Sequence, residues 1–222
     1  MLQSQKHVFW QALIVTIAVF LIGIFLGILL ENARTGRIVS LYEKSEIDLL
    51  DVRLQSEIYT SDRFNCDFAS NEIINFADRI FEEAKVLGRY EKATSLTEDI
   101  ILQHKKYDIL RATLMIASEK VRDKCNPDYI EIVYIYQYND PDLEIDARQS
   151  VFSRLLSEYK EEQGSNILLI PMAGDLDVSS IDLILNNYDL DKTKLPIILI
   201  NRELIITNLT TIDELKDKIN EL

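Results

Sequence analysis

The chain has 222 residues, a net charge of −13, two cysteines, two histidines, six glycines and four prolines. Its 47% hydrophobic content excludes a disordered chain, and the scarcity of glycine and proline favours long regular elements. The acidity is concentrated: residues 31–127 hold 15 basic against 18 acidic groups, residues 128–222 hold 8 against 19, so the C-terminal half repels nucleic-acid phosphates and anionic lipid.

After a short flank (1–7), Val8–Leu30 runs for 23 residues without a charge. As a helix it measures roughly 35 Å, enough for a hydrocarbon core of about 30 Å. A cleaved signal peptide has a shorter apolar region and a small-x-small exit. Here the exit is Gly27-Ile-Leu-Leu-Glu-Asn-Ala-Arg34, with no such site, so a retained anchor in a lipid bilayer is expected. Gly23 and Gly27 form a GxxxG pair, which permits close helix–helix approach and a homo-oligomer, although glycine is common in such helices anyway.

Residues 31–60 place Ile38, Leu41, Ile47, Leu50, Leu54 and Ile58 mostly three or four apart, an amphipathic juxtamembrane helix. Residues 61–127 read as a helical hairpin. Its first helix runs from Ser70, as N-cap, to Leu87, with Gly88 as the stop and Ile73, Ala77, Ile80, Phe81, Ala84 and Leu87 as the stripe. The second opens on a Ser95-x-x-Glu98 capping box and continues to Lys124 through Ile100, His104, Tyr107, Leu110, Leu114, Ala117 and Val121. His104 lies on that stripe as a packed histidine, and Lys105-Lys106 belong to the solvated face.

An antiparallel hairpin brings Cys66 and Cys125 to one end, where a disulfide is sterically reasonable; two free buried thiols are the alternative. The cysteines have no metal-ligand spacing, and with His7 and His104 as the chain's histidines no zinc site or other cofactor is expected.

From Tyr129 the pattern changes. Tyr129–Tyr138, Asn166–Pro171, Pro196–Ile200 and Glu203–Thr207 are apolar strands, and Asn201-Arg202 is a tight turn. Glu144–Gln163, Val178–Tyr188 (capped near Ser179 or Ser180) and Thr211–Glu221 are helices. The order β-α-β-α-β-β-α requires a parallel crossover for the first strand pair and a hairpin for the last. This order, with Tyr188, Leu190, Pro196 and Asn201 at matching positions, resembles the thioredoxin-like fold superfamily over residues 128–222. The resemblance implies a cis peptide bond before Pro196. It also implies Cys-x-x-Cys where the first strand meets the first helix, but that junction reads Tyr138-Asn-Asp-Pro-Asp-Leu-Glu-Ile-Asp146 and holds no thiol. Its carboxylates at Asp140, Asp142, Glu144 and Asp146 alternate like calcium ligands, but lack the mid-loop Gly and terminal Glu of an EF-hand, which leaves a helix-capping acidic turn.

The expected fold is therefore an α/β thioredoxin-like domain (128–222), preceded by a helical hairpin and one N-terminal transmembrane helix. The expected function is that of a single-pass, redox-inactive, non-enzymatic module that binds or positions another protein. The alternatives are a disulfide oxidoreductase or carrier using Cys66 and Cys125, and a structural protein that oligomerises through Gly23, Gly27 and the juxtamembrane helix. Lys6 on one flank against Arg34, Arg37 and Lys44 on the other leans slightly toward a cytoplasmic C-terminal region. A bonded cysteine pair requires the opposite, oxidising side. The expectation carried forward is a cell-membrane protein with its C-terminal region outside the cytoplasm.

Overall fold

The computed structural model describes the backbone of residues 3–61, 63–93, 98–139, 141–208 and 211–221. It describes their side chains except at residues 3–7, 31–42, 45, 87, 89–93, 98 and 99. The chain divides into two units, Met1–Glu43 and Lys44–Leu222.

The first unit holds the apolar segment Val8–Leu30 within helix α1 (Gln3–Thr60), long and apolar enough to cross a membrane. Every side chain from Val8 to Leu30 is exposed. Thr16, the one hydroxyl in the segment, donates to the Ala12 carbonyl at 2.9 Å, one turn back on its own helix.

The second unit is mixed α/β. Its helical layer consists of the last turns of α1 with α2 (Cys66–Ala93) and α3 (Glu98–Cys125). α1 lies against both. Lys44 pairs with Glu83 and Asp48 with Arg79 (3.1 Å) on α2, while Glu46 pairs with Lys106 on α3. Lys120 Nζ donates to the Ser56 carbonyl (3.1 Å) and Lys124 Nζ to those of Thr60 and Ser61 (both 2.9 Å). The unsatisfied carbonyls at a helix C-terminus carry partial negative charge, so two lysines one turn apart on α3 cap α1. Lys106 thus belongs to an ion pair, not simply to a solvated face.

Two sequence expectations about α2 need correction. Ser70 is not its N-cap: Asn65 is, its Oδ1 accepting from Phe68 N at 2.9 Å, so the helix starts a turn earlier. Gly88 does not end it, because an interior glycine costs a helix only about 1 kcal/mol and nothing there imposes a positive φ. Of the predicted apolar stripe of α2, Ile73, Ala77, Ile80 and Phe81 are buried and Ala84 is half-buried; Leu87 is outside the described side chains. The α3 stripe is buried at every predicted position from Ile100 to Val121. Ser95, and with it the capping box, lies outside the described residues.

Four strands then form one sheet in the order β2-β1-β3-β4: β1 (Ile130–Tyr136), β2 (Ile167–Ala173), β3 (Ile197–Ile200) and β4 (Leu204–Ile206). β1 pairs β2 in parallel, and β3 runs antiparallel to both β1 and β4. The connecting helices are α4 (Leu143–Gln163), α5 (Ser179–Asn187) and α6 (Ile212–Asn220). The predicted order β-α-β-α-β-β-α is the observed one.

Alternation along the strands divides the core. Ile132, Tyr134, Ile167, Leu169, Ile198 and Ile200 face Phe152, Leu155, Leu156 and Tyr159 of α4 and Leu215 and Ile219 of α6. The opposite set, including Val133, Ile135, Leu168, Ile170 and Met172, is also buried, on the side of α3 and α5. Strands apolar on both faces are what a covered parallel pair requires. Asn201 and Arg202 form the predicted turn, with φ of 46° and 65°. Neither Ser179 nor Ser180 caps α5; Val178 holds the N-cap position without a side-chain bond.

Candidate functional site

Three places carry the chemistry singled out in the sequence. They sit at opposite ends of β1 and on the outer face of α1.

The first is the strand–helix junction beyond Tyr136. Its backbone is tied down by side chains: Tyr138 N and Asn139 N donate to Asp175 (both 2.8 Å), and Gln137 N to Gln149 Oε1 (2.6 Å). Asp142 caps α4 by accepting from Ile145 N at 2.8 Å, with Glu144 and Asp146 in the first turn, where the helix dipole favours anions. Asp140 lies outside the described residues. Among those described, no group of three or more His, Cys, Asp or Glu could hold a metal ion.

Behind this junction lies a polar cluster of which the sequence marks out only His104, as a packed histidine. His104 is buried, with Nε2 2.8 Å from Tyr136 Oη and 3.4 Å from Asp108 Oδ2, and its ring lies 4.0 Å from that of Tyr138. Asp108 is fully buried; it accepts from Arg111 Nη1 at 2.9 Å and from Ala173 N at 3.3 Å. Burial pushes the Asp108 carboxyl above its usual range, against the pull of His104 and Arg111. The spacing 104-108-111 is i, i+4, i+7, one face of α3, and that is the signal that could have found the cluster. Its members bond to one another and to the sheet, so the cluster clasps the helix to the ends of β1 and β2. Pro196 begins the neighbouring segment, and the Leu195–Pro196 bond is cis. Gly174, at the end of β2, has no room for a side chain, since an added Cβ would sit 2.9 Å from Ile135 Cγ2 and 3.2 Å from Leu195 Cδ1.

The second place is the other end of β1. Cys66 and Cys125 form a disulfide with Cα atoms 5.4 Å apart, joining the first residue of α2 to the last of α3. β1, seven residues and about 23 Å long, begins five residues after Cys125 and ends at the junction, which holds neither cysteine. At the start of β1, buried Glu131 accepts from Ser118 and faces Arg202 (3.5 Å), which also pairs with Glu119 (3.2 Å) and Asp123 (3.4 Å). Burial raises Glu131 above the usual carboxylate range, while Ser118 and Arg202 oppose the shift.

The third place is α1 beyond Lys44. Asp48, Val52, Ser56 and Tyr59 face inward, whereas Ile47, Leu50, Leu54 and Ile58 are 55–70% exposed. The apolar stripe read from the sequence is therefore the outer face of this part of α1, and a partly polar face is the buried one. In the first unit, a Cβ added at Gly23 or Gly27 would meet nothing within 4 Å.

Comparison of the chain with protein-family models, curated proteins and solved structures found no match.

Proposed function

We propose that this chain is a single-pass membrane protein, anchored by Val8–Leu30, whose redox-inactive thioredoxin-like domain binds or positions another protein outside the cytoplasm. The observation that carries the reading is the strand–helix junction beyond β1. There the backbone of Gln137, Tyr138 and Asn139 is held by side-chain clasps and Asp142 caps a helix, and in sequence residues 137–142 contain no Cys, Ser, Thr or His. The strand order β2-β1-β3-β4 and its parallel and antiparallel pairings support the thioredoxin-like assignment. A fold without its reactive groups leaves recognition as its use. The disulfide supports the extracytoplasmic side, since such bonds persist in oxidising compartments.

The test is catalysis of thiol–disulfide exchange by the full chain in detergent or nanodiscs. Insulin reduction and refolding of a scrambled disulfide protein should proceed at the uncatalysed rate. Turnover abolished by Cys125→Ser would establish instead a disulfide carrier working through Cys66 and Cys125. That second reading draws on their partly exposed position at the surface.

The side of the membrane is tested by labelling intact cells with an impermeant thiol reagent. Cys66 and Cys125 should react only after reduction. Protection of the domain from both reagent and protease until lysis would place it in the cytoplasm.

A further inference from the structure

The chain contains one Asn-x-Ser/Thr triplet with a non-proline centre, Asn208-Leu209-Thr210. Its asparagine follows β4 by two residues and is exposed. Leu209 and Thr210 lie outside the described residues, and only their identities enter. The backbone just before Asn208 is held in place, with Arg148 Nη2 donating to the Thr207 carbonyl at 3.2 Å. Asn208 thus sits at an exposed position just beyond a strand, the kind of place where a secreted protein presents such an acceptor.

We propose that Asn208 is an N-glycosylation site, a proposal that rests on the extracytoplasmic reading above. In the reaction, the Asn208 side-chain nitrogen attacks the anomeric carbon of a lipid-pyrophosphate-linked oligosaccharide. A nitrogen–carbon bond forms, the carbon–oxygen bond to the pyrophosphate breaks, the lipid pyrophosphate leaves with the bonding electron pair, and the proton lost by the amide passes to solvent. The residue types agree with this chemistry: the acceptor is an amide, and the hydroxyl two positions on is the feature the transferase reads. The Cys66–Cys125 bond, which carries the extracytoplasmic reading, belongs to the same oxidising compartment, and in sequence the acceptor lies far beyond the apolar segment Val8–Leu30.

The position also gives the glycan a physical task. β4 is the terminal strand of the sheet, and Ile205 on it is 44% exposed. Unpaired strand edges invite pairing with other chains, and native proteins shield them. A hydrated oligosaccharide rooted two residues beyond β4 would occupy the space an added strand needs.

The experiment is mass spectrometry of the full chain purified from the membranes of its native host, cleaved after Glu203 and Glu214. Peptide 204–214 should carry a mass increment that fragments into sugar ions. Asn208→Gln and Thr210→Ala should each abolish it, Thr210→Ser should retain it, and the disulfide should remain intact in all three. An unmodified peptide from a chain whose cysteines are bonded and label only from outside would overturn the glycan and leave the extracytoplasmic reading standing. Free cysteines in a domain protected until lysis would overturn both. An increment that survives Asn208→Gln would also overturn the assignment.

Discussion

The two edges of the sheet are managed in opposite ways. β2 is seven residues long and buried along nearly its whole length, while β4 has three residues and an exposed centre. A long apolar edge strand invites pairing with other chains, whereas a very short one offers little ladder to extend. The hairpin of α2 and α3 packs against β2 and fixes both of its ends. Asp108 accepts from Ala173 N at one end, and at the other Lys160 Nζ donates to the Ile167 carbonyl at 2.6 Å while pairing with Asp78 of α2. Charged groups, usually expelled from cores, are here the fittings that hold a helical layer over a strand edge. At β4 the described residues show a lighter arrangement, Arg148 on the Thr207 carbonyl just beyond the strand (3.2 Å), and a strand too short to offer much ladder.

The largest effect that would break this contrast is loss of an edge fitting. Asp108→Ala leaves Arg111 buried without its carboxylate and Ala173 N without its acceptor, and should cost about 3–5 kcal/mol in urea unfolding of the full chain. A cost below about 1 kcal/mol would show that the clasp contributes little.

Cutting the hairpin's own closure comes next. Cys66→Ser removes a crosslink with a sequence separation of 59 and should lower stability by about 2–4 kcal/mol. The reduced wild-type chain should match it; a reduced chain as stable as the oxidised one would deny the disulfide a structural role.

A smaller effect comes from the charge buried at the opposite end of α3. Glu131 has its folded pKa raised above the unfolded value, so the folded chain binds the proton more tightly. The contribution is therefore most favourable at low pH and is lost as pH rises from the ordinary carboxylate range through the folded value. Unfolding compared between about pH 5 and 8 should show wild type losing stability relative to Glu131→Gln as pH rises. A difference that stays level or grows with pH would contradict the raised value.

The smallest expected effect lies at the open edge. Ile205→Thr should change stability by less than about 0.5 kcal/mol, since the side chain is largely solvated and threonine keeps the β-branched form. A penalty above about 1 kcal/mol would mean that β4 is covered after all.

Much of this architecture was legible in the sequence because periodicity records burial. The 23-residue apolar run, the α3 stripe from Ile100 to Val121, the four apolar strands and the order of their connections could each be read locally. An antiparallel hairpin is enough to bring Cys66 and Cys125 to one end, but the choice between a disulfide and two free thiols falls to the structure, which shows the bond. Local pattern failed where a polar group found a distant partner. Nothing beside Asp108 foretells Ala173, 65 residues away. The start of α2 is a different case: Asn65, whose partner Phe68 N is only three residues on, is as good an N-cap type as Ser70, and only the fold selects between them. The α1 stripe is the clearest instance. Ile47, Leu50, Leu54 and Ile58 determine that this helix is amphipathic, but only tertiary structure decides which face is covered. There, the ion pairs of Lys44, Glu46 and Asp48 and the capping of α1 by Lys120 and Lys124 turn its more polar side toward α2 and α3. The spacing of apolar residues distinguishes the two faces of one helix. Which of them the protein covers is set by the sum of contacts with elements far away in sequence.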